Sequence, residues 1–240
     1  GGCRATNYIG FIRKALKDAG FENVPVISFN VVGMEKMPGF KLTIPLIERL
    51  IKSCIYADLL QKMLTKNRAY EINKGKTKEL FDYWMEKCKK LVNKSSIKEF
   101  KQSIFDIVSD FEKIEIDTSV IKPKVGIVGE VLIKYHPFGN NFVADKLEQE
   151  GAEVIATHKI TFNKLIKTDA IKAKLFKTAI KLIDLLEKPV ISALNNSKKG
   201  YLLPCNIWDL EGKVNDILSI GNQTGEGWFL TAEMIEYIEH

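Results

Sequence analysis

The sequence of 240 residues predicts an α/β protein with Rossmann-like parallel-sheet lobes and a helical insert. In KVGIVGEV, residues 124–131, apolar residues fall on both alternating faces, as in a strand buried on both sides of a parallel sheet. A helical pattern and a second apolar run, AEVIATH at 152–158, follow directly, which predicts a right-handed βαβ unit. Residues 40–122 show only amphipathic helical patterns. We therefore predict the end of a first lobe (1–39), an insert (40–122) and a second lobe (123–240).

Each predicted element has a local signal. A helical pattern over 6–19 ends at Gly20, and VPVISFN at 24–30 predicts a short strand. In the insert we predict helices over 44–65, 76–93 and 96–111, with Ser95 or Ser96 as the N-cap of the last. In the second lobe we predict parallel strands at 124–129 and 153–157 and helices at 140–149, 169–186 and 231–239.

The net charge of +6 comes from the part of the chain before Pro123. A basic excess attracts a nucleic acid or an acidic cofactor such as coenzyme A, although the interspersed carboxylates favour a solvated helix face. Aromatic and basic residues do not interleave, so nucleic acid is not an expected partner. No apolar run approaches the ~18 residues of a membrane span and no signal-peptide pattern opens the chain, so we expect a cytoplasmic protein without membrane contact.

The first candidate site follows the strand predicted at 124–129. Ligands of open parallel sheets bind beyond the carboxyl ends of the strands, and GEVLIKYHPFGNNF, residues 129–142, lies there. We predict Glu130 and His136 as catalytic groups, and Tyr135, Asn140 and Asn141 as residues that bind a cofactor. A histidine in a surface loop is the alternative interpretation of His136.

The second candidate site is IGNQTGEGWF, residues 220–229, which precedes a helical pattern. Backbone N–H groups at the start of a helix bind anions. We predict that Thr224 and Gly225 bind a cofactor, that Glu226 is catalytic, and that this loop shares one cleft with the first site. The alternative is a connector that Trp228 anchors by packing.

The four cysteines are scattered, with no CxxC and no Cys/His cluster, so the sequence holds no complete local metal site. Cys54 and Cys88 lie in helical patterns and are predicted to be buried or half-buried. Cys205 follows a proline in a non-helical segment, which favours a structural thiol. In GGCRATNY, residues 1–8, the glycines, Arg4 and a helix start suit a thiolate at Cys3, for instance as a ligand of an iron–sulfur cluster.

Three segments together resemble the 2-hydroxyacyl-CoA dehydratase component-like module of large CoA-substrate-specific enzyme activases. They are GGCRATNYIGFIRKALKDAGF, KVGIVGEVLIKYHPFGNNFVADKLEQEGAEV and GNQTGEGWFLTAEMIEYI, whereas the insert is unspecific. The resemblance implies a two-lobed Rossmann-like module that binds an iron–sulfur cluster through cysteines of different loops, Cys3 among them. It also implies two partners: an ATPase module, in the same chain or in a partner subunit, and an acyl-CoA dehydratase. Low-potential electrons from the ATPase module would then drive the radical dehydration of 2-hydroxyacyl-CoA.

The sequence departs from this family in its cysteines and its nucleotide motifs. Cys54 and Cys88 do not match the other expected ligands, and no phosphate-binding GxxxxGK[ST] motif occurs. We therefore expect the chain to be part of a longer protein and to be inactive alone. The alternative is a non-catalytic module that binds an acyl-CoA or docks a subunit.

Overall fold

The computed structural model describes residues 7–26, 43–156, 170–203, 207–218 and 227–239. Most of these residues are helical. Their elements are α1 (Tyr8–Asp18), α2 (Ile44–Tyr70), α3 (Lys76–Lys94), α4 (Ile97–Glu112), β1 (Lys124–Gly126), α5 (Val131–Tyr135), α6 (Val143–Gln149), β2 (Glu153–Ile155), α7 (Ala170–Asn195), α8 (Ile207–Val214) and α9 (Gly227–Glu239).

Local capping explains where the helices of the insert begin. The Thr43 hydroxyl accepts a hydrogen bond from the Leu46 backbone N–H at the start of α2. Ser96 and Glu99 form a reciprocal capping box at the start of α4. The helices predicted over 44–65, 76–93 and 96–111 are therefore confirmed, with α2 continuing to Tyr70.

The main hydrophobic core lies between α2, α3, α4 and α7. Its fully or nearly fully buried side chains include Leu59, Leu60, Met63, Trp84, Phe100, Ile104, Ile107, Phe111 and Leu186. In this core the Tyr56 and Phe100 rings pack edge to face with their centroids 5.0 Å apart, and the Tyr56 and Ser103 hydroxyls are hydrogen-bonded at 2.6 Å. Since α7 comes from the C-terminal half of the chain, one core joins the insert to the residues that follow position 123.

The prediction of a Rossmann-like α/β fold is wrong. β1 and β2 pair in parallel, with Lys124 opposite Glu153 and Gly126 opposite Ile155, so the parallel pairing within 124–129 and 153–157 is confirmed. Each strand has only three residues, however, and the sheet formed by the described residues has two strands. Residues 27–30 of the run VPVISFN lie outside the described part.

The physical reason for this difference lies in the helices. α2, α3, α4 and α7 bury their apolar faces mainly against one another, so these four helices do not need a broad sheet as a packing surface. The strand pair instead packs beside α2, and the apolar run after Gly126 turns into the short helix α5. Apolar residues on both parities fit a buried helix or turn as well as a buried strand.

The C-terminal helices α8 and α9 form a second, smaller core. Leu210, Val214, Trp228 and Ala232 are its buried residues. The Tyr237 ring of α9 also packs against Gly126 of β1. The contact is so close that a methyl group on Gly126 would lie 2.4 Å from the Cδ2 atom of Tyr237. None of the described helices is long and apolar enough to cross a membrane.

Candidate functional site

The structure places five of the predicted site residues in one segment after β1, residues 130–141, and leaves four outside the described residues. Glu130, Tyr135, His136, Asn140 and Asn141 all lie between β1 and α6. Outside the described part lie Cys3, Thr224, Gly225 and Glu226. The shared cleft of the two loops therefore stays a prediction.

Three of these side chains bond to the backbone of the same segment, which comprises α5 and the turn that follows it. A Glu130 carboxylate oxygen accepts from the Ile133 N–H at 3.2 Å, and His136 Nδ1 accepts from the Gly139 N–H at 2.9 Å. Asn140 Nδ2 donates to the carbonyls of Ile133 and Lys134 at 3.0 and 2.9 Å. These bonds shape the turn, so in this geometry Asn140 and His136 act first as structural groups.

A buried ion pair lies beneath this turn, and sequence reasoning missed it. Lys134 Nζ contacts the two carboxylate oxygens of Glu233 at 2.9 and 3.1 Å, and both side chains are only 2% exposed. Burial, with Asp58, Tyr237 and Glu233 nearby, raises the pKa of Tyr135 well above its usual range, so its hydroxyl stays protonated. The sequence does contain a signal for this buried pair, because each partner is a charged residue within an apolar run: Lys134 in VLIKY and Glu233 in TAEMIEYI.

A second buried carboxylate, Glu153, lies at the amino end of β2. Its oxygens accept from Lys66 Nζ at 2.9 and 3.1 Å and from the Tyr70 hydroxyl at 2.7 Å. Burial, followed by the hydrogen bond to Glu153 and its charge, raises the pKa of Tyr70 to about 12. Lys66 and Tyr70 thus make three hydrogen bonds to the Glu153 carboxylate, which is only 5% exposed and needs such partners in order to be buried.

An open cavity of about 270 Å³ lies beside β2, next to this carboxylate. It is lined by Lys62, Thr65, Lys66, Lys124, Glu153, Val154, Ile155, Ala156, Gly200, Tyr201, Leu202 and Leu203. The Glu153 N–H donates to the Pro123 carbonyl, and the Ile155 carbonyl accepts from Ile127, so both residues direct their backbone polar groups toward β1. Because these directions alternate along a strand, the N–H and C=O of Val154 point to the opposite edge of β2. Cationic side chains, apolar side chains and a strand edge therefore border one cavity.

A buried hydrogen-bond network supports the Tyr201 wall of the cavity. Asn67 Nδ2 donates to the Tyr201 hydroxyl at 2.7 Å, and Asn67 Oδ1 accepts from Lys199 Nζ at 2.7 Å. Lys199 also donates to the carbonyls of Phe111, in the last turn of α4, and Ile114, just beyond that helix, at 2.7 and 2.6 Å. Desolvation lowers the pKa of Lys199. With these three acceptors its ammonium group serves to hold residues 199–201 against α2 and α4.

The described cysteines do not fit an iron–sulfur cluster. Cys88 is buried, as predicted, and burial raises its pKa to about 12. Cys54 is exposed on α2, contrary to prediction, and desolvation of the thiol together with the charge of Asp58 raises its pKa. Both cysteines therefore favour the neutral thiol over the thiolate that iron requires. No group of three metal-ligating side chains occurs within the described ranges, while Cys3 and Cys205 lie outside them.

No family model, no curated protein and no solved structure matches this chain. The described geometry defines its class in structural terms. It is a predominantly helical protein with a short parallel strand pair, and a lysine-lined cavity lies at that pair.

Proposed function

We propose that this chain binds an acyl-CoA as a module of a CoA-substrate-specific enzyme activase system. The observation that carries the proposal is the cavity beside β2, where Lys62, Lys66 and Lys124 border an apolar wall that includes Leu203. Acyl-CoA combines phosphates, which lysines bind as point charges, with an apolar thioester arm. The cavity of about 270 Å³ lies just below the usual ~300–1,000 Å³ of ligand pockets, so it would enclose one end of the molecule.

The resemblance of three segments to the dehydratase component-like module supports the wider role. In that role the chain assists ATP-driven transfer of low-potential electrons for the dehydration of 2-hydroxyacyl-CoA. Its partners are an ATPase module, in the same chain or in a separate subunit, and an acyl-CoA dehydratase. Cys3 is the proposed iron ligand, and no step is assigned to the cluster because the described cysteines do not fit it.

Equilibrium binding of butyryl-CoA to the purified chain tests the acyl-CoA site. The variant Lys124→Gln removes a cation from the cavity and leaves the Lys66–Glu153 pair intact, so it should weaken binding about fivefold, with a smaller salt dependence. Lys78→Gln is the matched control, since Lys78 is an exposed lysine of α3 that pairs with Asp82. Equal affinity of the wild type and Lys124→Gln would contradict the proposal.

Anaerobic reconstitution with iron and sulfide tests the proposed ligand Cys3. In the longer protein of which we expect this chain to be a part, we expect bound iron and a visible charge-transfer absorption, and loss of both in Cys3→Ser. Cys54→Ser is the control, because Cys54 is an exposed thiol in a different part of the chain. If Cys3→Ser keeps its iron, Cys3 is not a ligand. If the unchanged protein binds butyryl-CoA but no iron, the alternative of a non-catalytic acyl-CoA-binding module is favoured.

A further inference from the structure

The outer edge of β2 presents two buried backbone groups beside the cavity. Val154 lines the cavity and is only 1% exposed, and its N–H and C=O point away from β1. No backbone group in the described part of the chain forms a hydrogen bond with either of them. Buried backbone groups in native proteins are almost always paired, with protein or with ordered water. Val154 therefore marks a place where a hydrogen-bonding molecule from outside the chain can bind.

Two walls of the cavity are held in position by buried hydrogen bonds. Glu153 accepts from Lys66 and Tyr70 of α2, which fixes β2 against that helix. Asn67, also of α2, donates to the hydroxyl of Tyr201, which fixes the wall that contains this tyrosine. The strand edge and the neighbouring wall are thus ordered before a ligand arrives, and this order reduces the entropy lost on binding.

The length of the strand limits what can pair with it. β2 has three residues, and Val154 is the one among them that directs its N–H and C=O to the outer edge. A ligand can therefore make two strand-like hydrogen bonds with β2, one as acceptor and one as donor. A peptide that binds by strand addition relies on a longer run of main-chain hydrogen bonds. The edge therefore fits a short chain with few amides better than it fits a peptide.

We propose that the outer edge of β2 binds the pantetheine arm of the acyl-CoA through the amides of that arm. The identity of the ligand rests on the proposed function, whereas the position of the arm rests on Val154. Pantetheine has two secondary amides separated by two methylene groups, so it offers a carbonyl to the Val154 N–H and an N–H to the Val154 carbonyl. Its hydrocarbon parts lie against Ile155, Leu202 and Leu203, which line the same cavity. The edge thus selects ligands with this arm over nucleotides that share only the phosphates.

Equilibrium binding of butyryl-CoA to Val154→Pro tests the strand edge. Proline removes the outward N–H but no hydrogen bond to β1, and proline is tolerated at such sheet edges. Val154→Ala is the matched control, because it shortens the same side chain and keeps the N–H. We expect Val154→Pro to bind butyryl-CoA about fivefold more weakly than Val154→Ala, as for the loss of one hydrogen bond. The two variants should bind ADP, which has no pantetheine arm, equally, and circular dichroism verifies that both are folded.

A change in the ligand tests the same contact without any change in the protein. In an analogue of butyryl-CoA with esters in place of the two amides, the arm has no N–H to donate to the Val154 carbonyl. The wild type should bind this analogue about fivefold more weakly than butyryl-CoA.

The outcomes separate this inference from the proposed function. Equal binding of butyryl-CoA by Val154→Pro and Val154→Ala, or equal binding of the two ligands by the wild type, would overturn the strand-edge contact. The acyl-CoA site itself would stand, because Lys124→Gln tests it separately. If the wild type does not bind butyryl-CoA, the proposed function fails and this inference fails with it. A hexapeptide of alternating valine and threonine that binds the wild type but not Val154→Pro would assign the edge to a peptide and would also overturn the proposal.

Discussion

The helical core and the strand-pair region of this molecule are stabilised by different means. The core between α2, α3, α4 and α7 is built mainly from apolar side chains such as Trp84 and Phe100, although Lys52, Lys62 and Asn67 of α2 are buried as well. Around β1 and β2 the buried groups include two carboxylates, Glu153 and Glu233, each paired with a lysine. Buried charges add little net stability compared with apolar groups. The larger buried apolar surface therefore lies in the helical core, whereas the buried carboxylates Glu153 and Glu233 lie outside it.

The largest expected effect belongs to the helical core. Phe100 is fully buried against Tyr56, so Phe100→Ala should lower the free energy of unfolding by about 3–5 kcal/mol, as measured by urea denaturation. Phe105 lies on the same helix and is 38% exposed, so Phe105→Ala is the control and should cost much less. Equal losses in the two variants would contradict this description of the core.

In the strand-pair region, the buried ion pair offers a double-mutant test. Lys134→Met leaves the Glu233 carboxylate without its lysine in a buried site and should cost about 3–5 kcal/mol in the free energy of unfolding. The double variant Lys134→Met/Glu233→Leu should recover most of this loss, because it also removes the buried charge. If the double variant is as unstable as the single one, the pair is not the group that limits stability there.

The pH dependence of stability should single out Glu71, which begins the connection from α2 to α3. Partial desolvation would raise its pKa, but the nearby Thr77 hydroxyl and the backbone N–H groups of Gly75 and Thr77, which donate to its carboxylate, lower it. A lowered pKa contributes stability above the unfolded-state pKa, and this contribution is lost as the pH falls through the folded-state pKa. Glu71→Gln should therefore be about 1.5–3 kcal/mol less stable than the wild type at pH 7, a gap that closes in acid. A gap that is constant with pH would refute the assignment to Glu71.

A smaller effect is expected where α9 meets β1. The methyl group of Gly126→Ala would lie 2.4 Å from the Tyr237 ring, so the substitution should cost about 1–3 kcal/mol through overpacking. In a Tyr237→Ala background the same change should cost less, because the obstructing ring is gone. Additive losses in thermal denaturation would show that Tyr237 does not pack on β1.

The sequence predicts those features that depend on neighbours along the chain. The capping box joins Ser96 to Glu99, three positions further on, and the helices of the insert follow from such signals together with apolar periodicity. The parallel pairing of 124–126 with 153–155 was also predictable, because a helix and a short turn connect the two runs. The sheet width was not predictable, since an apolar run does not show whether a helix or a strand will cover it.

The candidate site shows the same division. The position of Glu130, His136 and Asn140 in one turn follows from their proximity in the sequence. Their hydrogen bonds to nearby backbone groups do not follow from the sequence, since carboxylate, imidazole and amide side chains could equally have bonded to a ligand or to a distant residue.

By itself, the sequence determined the helices of the insert, the strand pair and the turn after β1, because local hydrogen bonds and periodicity encode them. Only the tertiary structure decided which charges are buried and where the cavity lies. Lys134 meets Glu233 across 99 positions, and Lys66 meets Glu153 across 87. The physical reason is that a buried charge is tolerated only beside a partner, and that partner is chosen by how the helices pack rather than by separation along the chain.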